Sequence, residues 1–63
     1  MTKKDKKVFL MELSELMDKH NIEEISSFDG VDIVPKINSY KEMINFYQAI
    51  NQETIKDKLK EMI

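Results

Sequence analysis

At 63 residues and without cysteine, this chain is one small domain that neither disulfides nor a Cys/His metal cluster can reinforce. A net charge of −2 with no arginine disfavours nucleic acid as a partner, and no run approaches the ~20 apolar residues that span a bilayer. The near-neutral total conceals a polarised layout: residues 1–7 sum to +3, residues 8–35 to −6 and residues 36–63 to +1.

The first element is a helix from about residue 4 to His20, with residues 1–3 frayed. Thr2 and Asp5 form a capping pair at its start, and Asn21 suits the left-handed position beyond its end. At about 100° per residue, Phe9, Leu10, Leu13, Leu16, Met17 and His20 fall within an arc of roughly 120°, the expected core face. Val8 and Met11 project from the other side among Lys4, Lys7, Glu15 and Asp18.

A β-hairpin follows, with Ile22–Ser27 and Val31–Pro35 flanking Phe28-Asp29-Gly30. Asp-Gly is a strong turn signal, and two registers compete for it. A two-residue loop pairs Ile25 with Val34 and splits the apolar residues between both faces. A three-residue loop with Gly30 left-handed pairs Ile25 with Ile33 and keeps them together. Register follows hydrophobic pattern, so the second is expected, with Val34 pointing away from the core and Phe28 at the tip.

The C-terminal part is expected to hold two helices. Ser39-Tyr40-Lys41-Glu42 fits a capping box, and Tyr40, Met43, Ile44, Phe46, Tyr47 and Ile50 share one helical face. Ile55, Leu59, Met62 and Ile63 form a second face, offset by roughly 120° along a straight helix. A break at Asn51 removes the mismatch. Asn51 then caps a new helix with Glu53 in its first turn and Lys58 and Lys60 in its last turns, the signs that the helix dipole favours. The expected fold class is therefore α+β, a single domain over residues 1–63 in the order helix, hairpin, helix, helix.

Chemistry finds little purchase. No serine sits in a nucleophile-elbow context, and His20 is the lone histidine. Asp29-Gly30-Val31-Asp32 lacks the ligand ladder of a calcium loop, and one glycine cannot build a phosphate-binding loop. No enzyme, cofactor or metal is expected. Lys3, Lys4, Lys6 and Lys7 have the charge of a DNA-binding arm, but the absence of Arg removes the commonest bidentate contact to guanine. The lysines instead read as a solvated start, and a nucleic-acid-binding regulator ranks below the other readings.

The acidic centre is the best lead. Glu12, Glu15, Asp18, Glu23, Glu24, Asp29 and Asp32 make a candidate docking surface for a basic partner, with Phe28, Val34 and Tyr40 as apolar anchors. Ten Lys, eight Ile, four Asn and no Arg point to an AT-rich genome, as in low-GC bacteria and their phages. In size and composition the chain is similar to many small phage accessory proteins that bind and inhibit host machinery. That similarity implies a non-enzymatic inhibitor or modulator seated on the nucleic-acid-binding site of a larger host protein. The alternative is a structural homo-oligomer joined through Ile55, Leu59, Met62 and Ile63. Only Val8–Met11 separates the lysine-rich start from Glu12, too short for a secretory signal, so a cytoplasmic location is expected.

Overall fold

Thr2 and Asp5 close a reciprocal capping box. The Asp5 amide donates to Thr2 Oγ1 at 3.1 Å, and the Thr2 amide to Asp5 Oδ2 at 3.2 Å. From this cap runs α1, Lys3–Lys19. His20 ends it, and Asn21 turns the chain in the left-handed region at φ 56°. The Asn21 carbonyl then accepts from the Lys36 amide at 2.8 Å, which ties the start of the hairpin to its end. The structure, a computed structural model, describes residues 1–37 and 40–63, with the backbone alone for Tyr40.

Strands β1 (Ile22–Ser27) and β2 (Val31–Pro35) pair antiparallel with Ile25 opposite Ile33 and Ser27 opposite Val31. This is the register expected from the three-residue loop. Gly30 sits at φ 91°, where its missing side chain matters twice. A Cβ there would overlap the Phe46 carbonyl oxygen and lie 3.2 Å from Tyr47 Cα. A bulge between Ile22 and Glu24 places Ile22 opposite Pro35. Ile22 and Ile25, three residues apart, thereby share a face that strict alternation would deny them.

The segment after the hairpin departs from expectation. In place of a helix starting near Tyr40, Tyr40–Glu42 make a single 3-10 turn and Ile44–Phe46 form β3, antiparallel to β2. The proposed cap at Ser39 lies outside the described residues. The strand prevails because β2 offers an open edge of backbone donors and acceptors, and pairing satisfies them. It also sets Ile44 beside Ile33 and Phe46 beside Val31 on the apolar face, with Asn45 and Asp32 on the other. The sheet order is β1-β2-β3.

Asn51 caps α2 (Gln52–Glu61), as expected, through a second reciprocal box with Thr54, at 2.9 and 2.8 Å. Thr54 Oγ1 also donates to the Ala49 carbonyl at 2.9 Å, fixing the approach to the helix. The side of α2 that faces the sheet is its polar one. Thr54 and Lys58 are half-buried, and Lys58 Nζ lies 5.6 Å from the centre of the Phe46 ring.

Helix α1 also corrects an expectation. Of its anticipated core face only Leu13 and Met17 are half-buried; Phe9, Leu10, Leu16 and His20 are exposed. Only the C-terminal half of the helix reaches β1, and an open groove of 410 Å³ remains between them. Phe46, at 6% exposure, is the one buried side chain among the described residues. The radius of gyration, 12.9 Å, exceeds the roughly 10.6 Å of a compact chain this long.

Two substitutions test this account by urea denaturation. Phe46→Ala should remove about 3–5 kcal/mol, most of what a domain of this size possesses. Gly30→Ala should cost more than about 1 kcal/mol, through its positive φ and the clash with β3.

Candidate protein-interaction surface

The charged and apolar residues that mark a docking surface are distributed by the fold over three places. On α1, Glu12, Glu15 and Asp18 are exposed. Glu15 leaves the helix on the side away from Leu13 and Met17, as its spacing demands, whereas Asp18 lies at the rim of the groove that those two residues line. Asp18 is drawn to Lys36 beyond β2, Nζ to Oδ1 at 3.4 Å, with the two side chains 83% and 46% exposed. A pair this open to water contributes about 0–1 kcal/mol, but it offsets one of the helix's acidic charges locally.

The second place is the polar face of the sheet. The register sets Ser26 opposite Asp32 and Asp32 opposite Asn45, with Glu24 and Val34 paired alongside. Asp32 is half-buried and accepts a hydrogen bond from Asn45 Nδ2. Its role is therefore structural at least in part: it holds β3 to β2 from the side opposite Phe46. Asn45 Oδ1 is buried and has no protein donor. Val34 does point away from the apolar face, and it is half-buried among these polar neighbours.

The third place is the two ends of β1. Glu23 occupies the bulge and borders the groove beneath α1 together with Asp18 and Lys36. At the far end Phe28 is 97% exposed and Asp29 stands beside it at the hairpin tip. Among the described residues, no three His, Asp or Glu side chains converge as metal ligands would. The side chain of Tyr40 lies outside the described part. No described helix is long and apolar enough to cross a membrane.

More conspicuous than the acids is the apolar surface left uncovered. Both helices have no buried residue, and Phe9, Leu10, Met11 and Leu16 on α1 are each more than half exposed. On α2 the same holds for Leu59, Met62 and the terminal Ile63. A compact monomer of 7.5 kDa exposes about 4,200 Å² by the usual scaling, whereas this chain exposes 5896 Å². The difference, roughly 1,600 Å², is of the size that a standard protein–protein interface removes from water.

Sequence reasoning overlooked Asn45, Phe46 and Lys58, which join β3 to the rest. The signal was the Ile44-Asn45-Phe46 alternation, three residues long and overlaid by a broader helical periodicity.

The division of roles among the acids is testable by denaturation. Asp32→Ala leaves Asn45 without its partner and should cost about 1–3 kcal/mol. Lys36→Met, at an exposed pair, should change stability by less than about 1 kcal/mol.

No family model, curated protein or solved structure matches this chain.

Proposed function

We propose that this chain is a non-enzymatic protein-binding module, a small modulator that docks on a basic surface of a larger protein. The observation that carries this reading is the combination of one buried side chain among the described residues with an exposed area far above that of a compact monomer. The exposed apolar side chains on the helices, Phe9, Leu10, Met11, Leu16 and Leu59 among them, mark a place where another protein sits. The acidic centre supplies orientation: Glu12, Glu15, Glu23, Glu24 and Asp29 are exposed. Complementary charge speeds encounter and fixes register more than it deepens affinity. Phe28 at the hairpin tip is a ready apolar anchor, a lone aromatic ring flanked by Asp29. A partner whose own function is to bind nucleic acid has the required basic groove, which is how a phage or mobile-element inhibitor of host machinery would act.

A second reading, a structural homo-oligomer, is favoured by the exposure of Ile55, Leu59, Met62 and Ile63. It differs from the first in needing no other protein.

Affinity capture from lysate, followed by titration with the purified captured protein, tests the first reading. Glu23→Lys, Glu24→Lys and Asp29→Lys together should weaken that complex by about tenfold or more, and added salt should weaken the wild-type complex. These side chains are exposed, so circular dichroism should show the fold unchanged. An affinity indifferent to both the charge reversal and salt would rule out acidic docking.

A further inference from the structure

Helix α1 carries a second pattern that the docking surface does not use. Phe9, Leu13, Leu16 and His20 recur at intervals of four, three and four, the spacing of a two-helix seam. The sheet takes only the flank of this stripe that holds Leu13 and Met17. Phe9 and Leu16, each 54% exposed, lie together on the flank that faces water. Every residue from Met1 to Glu12 is exposed, so the N-terminal half of the helix stands clear of the body.

The charges along α1 are sorted by position. Residues 3–7 carry four Lys and one Asp, and residues 12–19 carry Glu12, Glu15, Asp18 and Lys19. One half is therefore +3 and the other −2. Set side by side in parallel, two such helices bring like charge to like charge. Set antiparallel, each basic half lies alongside an acidic half, with Lys6 and Glu12 nearest the Phe9–Leu16 flank and Lys4, Lys7, Glu15 and Asp18 farther round the helix, and the helix dipoles oppose as well. A two-fold axis gives this arrangement from one surface patch, used by both copies.

We propose that α1 pairs antiparallel with α1 of a second copy of this chain, along the Phe9–Leu16 flank. The area argument agrees, since the uncovered surplus of roughly 1,600 Å² exceeds the ~800 Å² per partner that a standard interface needs. Helix α2 is the weaker candidate. It has ten residues, and its Glu53, Lys56, Asp57, Lys58, Lys60 and Glu61 alternate in sign without polarity. An anionic membrane also fits α1 poorly, because Glu12, Glu15 and Asp18 would be repelled along half its length. The inference does not depend on a larger partner: the reading above is tested at Glu23, Glu24 and Asp29, none of which lies on α1.

Sedimentation equilibrium of the full chain decides it. The expected species is a dimer, twice 7.5 kDa, whose fraction falls on dilution. Phe9→Asp with Leu16→Asp should abolish it, while Leu59→Asp on α2 should leave it intact. A charge exchange guards against variants that fail to fold. One variant carries Lys3→Glu, Lys4→Glu, Lys6→Glu and Lys7→Glu; the other carries Glu12→Lys, Glu15→Lys and Asp18→Lys. Each alone should dimerise about tenfold more weakly or worse, and an equimolar mixture should restore a heterodimer. A wild-type chain that stays monomeric at every concentration overturns the proposal. So does a dimer that Phe9→Asp and Leu16→Asp leave intact, or a pair of charge variants that fail to rescue one another. Wild-type protein that is monomeric in solution yet binds phosphatidylserine vesicles would assign α1 to a lipid surface instead.

Discussion

Pairing of β3 with the open edge of β2 is the contact on which the remaining packing depends. A hairpin alone is marginal in water, and the third strand turns it into a sheet with one apolar face. That strand carries Phe46 into the one buried position among the described residues. It also brings the Phe46 carbonyl so close to Gly30 that turn and strand can fit together only with glycine at the tip. On the polar side Asn45 reaches Asp32, and above the apolar side Lys58 of α2 settles over the Phe46 ring. Three residues thus receive the turn, the central strand and the last helix.

Outside that knot, local interactions carry most of the organisation. Each helix starts in a reciprocal capping box, and each is held to the sheet by few side chains. Caps stabilise helix ends by about 1 kcal/mol, and a helix shorter than ~12–15 residues is marginal in isolation. Ten-residue α2 therefore draws on the Phe46–Lys58 contact, whereas α1, at 17 residues, projects well beyond its support on β1. The uncovered stripes on both helices and the excess of exposed area are two expressions of this layout. An association with another chain would supply the packing that the sheet alone does not.

How legible this was in the sequence follows from the range of each signal. Thr2 with Asp5, Asn21, Asp29-Gly30 and Asn51 act within a few residues, and all four produced the turns and caps their chemistry implies. The hairpin register was readable because one alternative scattered Ile25, Val31 and Ile33 across both faces. The identity of β3 was not readable in the same way. Tyr40–Ile50 has helical periodicity, and what overrides it is the edge of β2, whose paired residues Ile33 and Val31 lie well upstream of Ile44 and Phe46 in sequence, outside the local pattern. The apolar arc of α1 was legible, but its reading as a core face failed at Phe9, Leu10, Leu16 and His20, because an arc does not say what will lie against it. Of the acidic residues in the strands, Asp32 alone is half-buried and held by a side chain of a neighbouring strand, a role that went unread because the strand that reaches it was itself unforeseen.

A molecule with one well-buried side chain among its described residues has an unusual thermal character. The heat capacity of unfolding comes from apolar surface newly wetted, and more of the surface here is already wet than in a compact domain of this size. The unfolding enthalpy of an isolated chain therefore changes less with temperature than in a compact domain of this length, and its stability curve is flatter. The half of α1 from Lys3 to Glu12, with every side chain exposed, is the part placed to open first. Cold, which weakens proteins that rely on a large core, has correspondingly little to act upon.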